Sequence, residues 1–332
     1  MNILFFSVSA GGGHMKAAEA VSNEITRKHP DYRILVVDTL RYANPVVDKF
    51  IINGLYLNAV KNTPQIWGKL YDMAETGDNV NDLSKAVNRL LSRKIKSLIN
   101  DFNPSVIVCT HPFPLQMLSN MKKKGKVTAP IIAILTDHVV HPFWLYENID
   151  AYVVSNSTMK YEMIKKGFSP NIVFDYGIPV KREFIERKTR SNILRVNELE
   201  DKTTILIMGG SLGYGSLKSV FMSIIKSDND VQIIVITGHN KKLKKQLEKY
   251  SLEKTKSVKI ISYTDSVADF MQISDLIITK PGGVTVSEAL AESLPIIIMS
   301  PIPGQEERNA QFLLNCGVAA RITETDDVDT IL

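Results

Sequence analysis

Continuous apolar runs of strand length recur along the chain and alternate with amphipathic or polar stretches. Six runs lie in the first half and six in the second, at 3–8, 33–38, 105–109, 130–135, 150–154, 172–174, 204–208, 231–237, 258–261, 275–279, 295–299 and 317–320. Because these runs are almost continuously apolar, they indicate parallel strands that are covered on both faces. A helical stripe of apolar residues spans 81–100. The pattern predicts an α/β protein.

A glycine-rich loop follows the first strand of each half. Gly11-Gly12-Gly13 precedes one helix, and the loop at 209–213 precedes a helix from Ser216. This repeated device predicts two Rossmann-like domains facing a cleft, which would favour a phosphate-bearing ligand. We place the domains at 1–180 and 203–332, with a charged linker at 181–202. The last residues read as the start of a helix, so we expect a C-terminally truncated second domain, with a frayed natural end as the alternative.

Composition narrows the functional classes. The chain has 332 residues, 44% hydrophobic and 23% charged, which is typical of a globular protein. A net charge of +5 is too small to indicate nucleic acid, but it is compatible with an anionic ligand or membrane surface. No signal peptide is visible, and every apolar run is too short to span a bilayer. We therefore expect a cytoplasmic protein, peripheral on the inner face of the cell membrane.

The first glycine loop ends in a candidate catalytic residue. Gly13 would let backbone approach a bound donor, and His14 lies at the helix N-terminus. The helix dipole disfavours a protonated imidazole there, so His14 is placed to act as a general base. The alternative is that the glycines pack the turn and His14 caps the helix.

Further polar residues follow two neighbouring strands of the first half. His111 comes after the strand at 105–109, and Asp137 after the strand at 130–135. Asp137 could orient His14 or act as the base itself. His141, Phe143 and Trp144 follow, and the two aromatic rings could form an acceptor wall or pack in the core. The histidine spacing matches no common zinc pattern, so we assign His111 and this segment to an acceptor site and expect neither metal nor cofactor.

The second half carries the candidate donor residues. The loop amides after the seventh strand suit a diphosphate, and Glu288 could bind ribose hydroxyls. Gln305 and Glu306 could read sugar hydroxyls. The donor residues are Gly209, Gly210, Ser211, Gly213, Gly282, Gly283, Thr285, Glu288, Gln305, Glu306 and Asn309.

Basic residues accompany an apolar segment in the first half. The segment 50–73 is rich in aliphatic and aromatic residues, and basic clusters lie at 85–96 and 122–126. Such a surface would dock on anionic lipid. The alternative is a solvated basic face over an ordinary helical core.

Together these motifs resemble the diacylglycerol glycosyltransferases, which include plant monogalactosyldiacylglycerol synthases and bacterial glucosyldiacylglycerol synthases. The resemblance rests on Gly-Gly-Gly-His at 11–14, Gly-Gly-Val-Thr-Val-Ser-Glu-Ala at 282–289 and Pro-Gly-Gln-Glu-Glu-Arg-Asn-Ala at 303–310. The family resembles the transferase that adds N-acetylglucosamine to lipid I. The resemblance implies the two-Rossmann GT-B fold. It also implies an essential role for His14.

The resulting expectation is an inverting hexosyltransferase with UDP-sugar as donor and diacylglycerol as acceptor. UDP-glucose is the first choice of donor, and UDP-galactose is the second. Three alternatives stay open: transfer to another lipid-linked acceptor such as a cell-wall precursor, epimerisation of UDP-N-acetylglucosamine, and binding of a nucleotide sugar without turnover.

Overall fold

The structure is a computed structural model of the chain. It describes residues 1–9, 12–43, 82–210, 216–251 and 256–322, with the side chains of the 82–102 helix described from Ser92 onward. The chain forms two compact units, one comprising 1–180 with 302–305 and the other comprising 181–301 with 306–332.

The first unit is built on a six-stranded parallel sheet. In chain order its strands are β1 (Asn2–Ser7), β2 (Arg33–Asp38), β3 (Val106–Cys109), β4 (Ile131–Ile134), β5 (Ala151–Val153) and β6 (Val173–Phe174). Their order across the sheet is β2-β1-β3-β4-β5-β6. Its α-helices in the described ranges are α1 (Gly13–Lys28), α2 (Thr39–Ala43), α3 (Asp82–Phe102), α4 (Pro112–Lys123) and α5 (Ser157–Lys165). Short 3-10 helices occupy Pro142–Trp144 and Pro170–Ile172.

The second unit repeats this plan. Its strands are β7 (Thr204–Met208), β8 (Gln232–Ile236), β9 (Val258–Ile261), β10 (Leu276–Thr279), β11 (Ile296–Met299) and β12 (Ala319–Ile322). They are parallel, in the order β12-β11-β10-β7-β8-β9. Its described α-helices are α6 (Arg190–Asn197), α7 (Leu217–Lys226), α8 (Lys241–Ser251), α9 (Val267–Gln272), α10 (Gly283–Ala291) and α11 (Gln305–Asn315), and a 3-10 helix occupies Arg182–Phe184.

All twelve strands expected from the apolar runs are present, and each sheet is buried on both faces. In the first sheet Leu4 and Phe6 pack into the core on one face, while Ile3 and Phe5 pack into a second cluster on the other. Burial on both faces explains why the runs are continuously apolar. Among the helices of the described ranges, none combines the length and the apolar character that a membrane crossing requires.

The segment 181–202, expected to be a linker, is grouped with the second unit. It contains the Arg182–Phe184 turn and α6, whose side chains Phe184, Ile193 and Leu194 are buried. Arg187 and Lys188 make hydrogen bonds to Glu292 and Gln272 of the same unit. Most charged residues of this segment are exposed, and only a few apolar side chains are buried. For this reason the sequence alone resembles that of a linker.

Strand order reverses once in each sheet. In the first sheet β1 lies between β2 and β3, and in the second β7 lies between β8 and β10. Loops that leave neighbouring strands in opposite directions open a crevice at the carboxyl ends, and ligands of parallel α/β sheets bind there. The loops after β1, β3 and β4, and those after β7, β10 and β11, are therefore where the candidate residues are expected.

Candidate active site

His14 is presented by the turn between β1 and α1. Gly12 closes that turn with φ of 80°, a left-handed conformation that glycine adopts without steric cost. α1 begins at Gly13, so His14 is its second residue, and it is half-buried. Ala10 and Gly11 lie outside the described residues.

Two oxygens contact the same nitrogen of the His14 ring. Nδ1 lies 2.9 Å from the backbone carbonyl oxygen of Thr110 and 2.7 Å from Oγ1 of Thr136. A carbonyl oxygen only accepts hydrogen bonds, so Nδ1 carries the proton. In the neutral ring Nε2 then keeps its lone pair and is the atom that can take a proton.

Thr110 holds His14 at two points. Besides its carbonyl contact with the ring, its hydroxyl lies 2.9 Å from the His14 carbonyl oxygen and 2.8 Å from Oγ of Ser7. Ser7 ends β1, and Thr110 directly follows β3. Both residues are fully buried. The first turn of α1 is therefore fixed to the carboxyl ends of two neighbouring strands.

Burial lowers the pKa of two histidines in this cluster. It lowers the pKa of His14, while the charge of Asp137 and the bond to Thr110 oppose that shift. The ring of His111 meets the ring of His14 edge-on at 4.5 Å. Burial and the nearby His14 hold the pKa of His111 well below its usual value. Burial thus favours the neutral form of His14 that the sequence analysis attributed to the helix dipole.

His111 and His141 have the opposite tautomer from His14. Nδ1 of His111 accepts a hydrogen bond from the Phe113 amide at 3.1 Å, and Nδ1 of His141 accepts one from the Phe143 amide at 3.3 Å. Each caps the helix that follows it. A nitrogen that accepts carries no proton, so Nε2–H of each neutral ring is a donor.

The aromatic residues after His141 differ in exposure. Phe143 is 41% exposed, whereas Trp144 is only 2% exposed and belongs to the core of the first unit. The Trp144 ring nevertheless lies 6.5 Å from the ring of His14. Phe143 is therefore the one of the pair with surface to offer an acceptor.

Asp137 is almost fully buried, three residues past the end of β4. Its carboxylate accepts a hydrogen bond from the side-chain amide of Gln305, which is grouped with the first unit. The orientation of the His14 ring comes from Thr110 and Thr136, and Asp137 acts on His14 through its charge.

In the second unit, three neighbouring strand ends carry the donor residues. Gly209 and Gly210 follow β7, and Gly210 has φ of 71°. Ser211 and Gly213 lie outside the described residues. Gly282 is the N-cap of α10, which begins at Gly283 after β10.

The α10 helix carries Thr285 and Glu288 behind its N-terminus. Glu288 is the sixth residue of the helix and only 2% exposed. A Cβ added at Gly282, whose φ is −69°, would meet nothing within 4 Å. The glycine therefore leaves open space at a helix N-terminus, where backbone amides favour an anion.

The α11 helix, which follows β11, is tied to the loop after β10. Asn309 is fully buried, and its amide donates to the Pro281 carbonyl oxygen at 3.2 Å. Nζ of Lys280 lies 3.9 Å from the carboxylate of Glu306, and both side chains are largely buried. The structure thus brings Glu306 and Asn309 of α11 close to the loop that carries Gly282. Within the described ranges, no three histidine, cysteine or carboxylate side chains are grouped so that they could hold a metal ion.

Residues 14–180 match the family model for monogalactosyldiacylglycerol synthase, and residues 204–330 match that for the glycosyltransferase family 28 C-terminal domain. A processive diacylglycerol beta-glucosyltransferase of Bacillus pumilus is 30% identical over 98% of this chain and 84% of that protein. The chain belongs to the monogalactosyldiacylglycerol synthase family.

Solved structures agree on the fold of this family member. MurG of Acinetobacter baumannii is 14% identical and aligns over 97% of this chain and 85% of that one, with a TM-score of 0.59. Alr3699/HepE of Anabaena, solved with UDP-glucose, is 12% identical over 99% and 87% of the two chains, with a TM-score of 0.56. The expected pair of Rossmann-like domains of the GT-B class is confirmed.

Sequence reasoning missed Ser7, Thr110 and Thr136. Each is a small hydroxyl residue at or just beyond the end of a buried strand. A hydroxyl residue at that position indicates a ligand site or a polar cluster at the carboxyl ends of the strands. Their attachment to His14 depends on the order β1-β3-β4 across the sheet, which the apolar runs do not specify.

Proposed function

We propose that this protein transfers a hexose from a UDP-sugar to diacylglycerol with inversion at the anomeric carbon, producing a membrane glycolipid. UDP-glucose is the preferred donor in this proposal, and UDP-galactose the second. The observation that carries it is the 2.9 Å contact between Nδ1 of His14 and the Thr110 carbonyl oxygen, which assigns the ring proton to Nδ1 and leaves Nε2 as a base in a family of glycolipid synthases.

The first unit supplies the acceptor side. Nε2 of His14 takes the proton of the acceptor hydroxyl as that oxygen attacks the anomeric carbon. His111 can donate from Nε2 to an oxygen beside the reacting hydroxyl. His141, which is 2% exposed, holds the backbone of Phe143 through its Nδ1. The sn-3 hydroxyl of diacylglycerol has such a neighbour in the adjacent ester. Phe143 offers apolar surface to the lipid.

The second unit supplies the donor side. As the new carbon–oxygen bond forms, the bond from the anomeric carbon to the diphosphate breaks and UDP leaves with the electron pair. The N-terminus of α10 and the loop after β7 stabilise the diphosphate through amide hydrogens. Glu288 binds the ribose hydroxyls, while Glu306 and Asn309 contact the sugar.

Peripheral attachment to the cytoplasmic face of the membrane completes the proposal, because diacylglycerol resides in the bilayer. In the described part of α3, Arg93, Lys94 and Lys96 are exposed opposite the buried Ile95 and Ile99. Lys123, Lys124 and Lys126 form a second exposed basic group. The apolar segment 50–73 lies outside the described residues.

One assay separates the candidates. UDP release and lipid products should be measured for each UDP-sugar with diacylglycerol, with a polyprenyl-linked cell-wall precursor and with no acceptor. The proposal expects UDP release and glycosyl-diacylglycerol only with diacylglycerol. Conversion of UDP-N-acetylglucosamine into an isomeric UDP-sugar with no acceptor present would indicate an epimerase. Transfer to the prenyl-linked substrate would indicate a cell-wall enzyme. Binding of a UDP-sugar with neither UDP release nor isomerisation would indicate a non-catalytic protein.

A further inference from the structure

We propose that Thr136 is a positioning residue for His14, whose hydroxyl fixes the imidazole ring so that Nε2 faces the acceptor hydroxyl. This rests on the proposed function only in treating Nε2 as the base. Thr136 lies two residues past the end of β4 and is 4% exposed. Its Oγ1 lies 2.7 Å from Nδ1 of His14, a strong hydrogen-bond distance.

A single hydrogen bond would not fix this ring. Rotation of a histidine ring about its Cβ–Cγ bond is broad and roughly two-fold. The Thr110 carbonyl oxygen holds Nδ1 from the β3 side at 2.9 Å, and Thr136 holds it from the neighbouring β4 side. Two acceptors from adjacent strands restrict the ring to one orientation, and the opposite nitrogen is restricted with it.

The direction of the Thr136 bond follows from counting hydrogens. Nδ1–H is shared between the two oxygens, because both lie within hydrogen-bond distance. If Thr136 instead donated to a bare Nδ1, the Thr110 carbonyl oxygen would face a lone pair at 2.9 Å, which is repulsive. Thr136 therefore accepts. When Nε2 takes the substrate proton, the ring becomes positive and its bonds to both oxygens become charge-assisted and stronger.

Other groups around His14 set the background against which Thr136 acts. The charge of Asp137 raises the pKa of His14, and burial lowers it. His111 lies edge-on at 4.5 Å and is held neutral by its own lowered pKa. Trp144 contributes an uncharged ring at 6.5 Å. Removing the Thr136 hydroxyl takes away one stabilising partner of the protonated ring, so the pKa of His14 should fall further.

The test compares Thr136→Val, which keeps the shape and loses the hydroxyl, with Thr136→Ser, which keeps the hydroxyl. Thr204→Val is the matched control, since Thr204 is fully buried and its hydroxyl donates to the Lys202 carbonyl oxygen at the amino end of β7.

The measurement follows the histidine rings themselves. The chain has six histidines, so ¹⁵N-histidine labelling of the full protein resolves each ring's tautomer and titration. A His14→Gln sample assigns the His14 signal. The pH profile of transfer is measured in parallel.

We expect the Nδ1–H tautomer for His14 in the wild type. In Thr136→Val its pKa and the acid limb of kcat/KM should move down by roughly half to one pH unit, the scale of one lost hydrogen bond. kcat should drop about tenfold with KM for the UDP-sugar unchanged, because misplacing the base affects the transition state. Thr136→Ser should stay near wild type, and Thr204→Val should lose thermal stability without any pH shift.

Two results would overturn the proposal: an Nε2–H tautomer for His14 in the wild type, or a Thr136→Val variant whose His14 titration matches the wild type. The nuclear magnetic resonance arm needs no substrate. It therefore decides the role of Thr136 even if no UDP-sugar is turned over, and a failure of the proposed function would show separately as absent product.

Discussion

At the scale of single residues, the site combines histidines of opposite hydrogen-bonding character. His14 presents a bare nitrogen, while His111 and His141 each present an N–H group. The His14 ring can therefore remove a proton, and the His111 ring can hold a neighbouring oxygen. Because each tautomer is fixed by a backbone group, the division of roles is built into the fold.

Titration of the buried histidines should make the protein sensitive to acid. Burial lowers the pKa of both His14 and His111 below the roughly 6.5 of the unfolded chain. The unfolded state thus binds more protons, so stability falls as pH drops below about 6.5, by up to about 1.4 kcal/mol per pH unit for each histidine. His111→Asn preserves a helix cap and removes one titrating group.

Thermal melts of the wild type and of His111→Asn between pH 7.5 and 5.5 check this. The variant should melt close to the wild type at pH 7.5 and lose less on acidification. His29→Asn, at the exposed far end of α1, is the control and should follow the wild-type curve. Parallel curves for the wild type and His111→Asn would show that His111 does not titrate on unfolding.

At the scale of secondary-structure elements, strand-end glycines serve two different purposes. Gly210 adopts φ of 71°, which side-chain-bearing residues rarely take, so it is needed by the backbone itself. Gly282 has an ordinary φ of −69° and open space around its Cβ position. A methyl group would fit at Gly282 in the free protein. The absence of a side chain at position 282 is explained if a ligand occupies that space.

Alanine substitutions separate the two purposes. Gly282→Ala should leave the melting temperature unchanged and weaken UDP binding at least tenfold. Gly210→Ala should lower stability by about 1 kcal/mol because of backbone strain. Calorimetric titration with UDP and thermal melts measure both. Normal UDP affinity in Gly282→Ala would remove the α10 N-terminus from the donor site.

Glu288 tests the rest of the same helix. It is buried in α10 and assigned to the ribose hydroxyls, so Glu288→Gln should weaken UDP binding roughly ten- to hundred-fold, the worth of a charge-assisted hydrogen bond. Glu307→Gln is the control, because Glu307 pairs with Arg321 and is partly exposed. If both variants bind UDP like the wild type, the ribose assignment is wrong.

At the scale of the whole molecule, the positions of the strands in both sheets could be predicted almost completely from the sequence. The reason is that strands buried on both faces require continuous apolar runs. The clearest offset is β12, which begins at Ala319 instead of 317. Gly317 still belongs to the end of α11: it adopts φ of 67°, and its amide bonds to the Leu314 carbonyl oxygen. That left-handed helix ending is common and glycine-dependent, yet an apolar run does not reveal it.

The site could be predicted only in part. His14 stood out because a histidine after three glycines is unusual in a strand-to-helix turn. Thr110 and Thr136 did not stand out, since a threonine after a strand is common. Their partner, His14, lies 96 or more residues away in the sequence. Local pattern identifies which residues reach the edge of a sheet. Contacts across strands decide which of them meet.

The proposed membrane attachment involves the first unit as a whole. Binding to vesicles should require anionic lipid and weaken with added salt, because the basic groups act through screened charge. Reversing the charge of Arg93, Lys94 and Lys96 should reduce binding further. Reversing Lys241, Lys242 and Lys245, exposed on α8 of the second unit, should leave it unchanged. Sedimentation that is equal for neutral and anionic vesicles would contradict the electrostatic part of the account.

The most direct test of the central claim is the transfer rate of His14→Ala with UDP-glucose and diacylglycerol. Loss of a general base should lower the rate about a hundred- to ten-thousand-fold. UDP affinity and melting temperature should stay near wild type, and His29→Ala on the same helix should retain full activity. A His14→Ala enzyme that keeps more than about a tenth of the wild-type rate falls well short of that loss, and it would show that His14 only holds the first turn of α1 in place and is not the base.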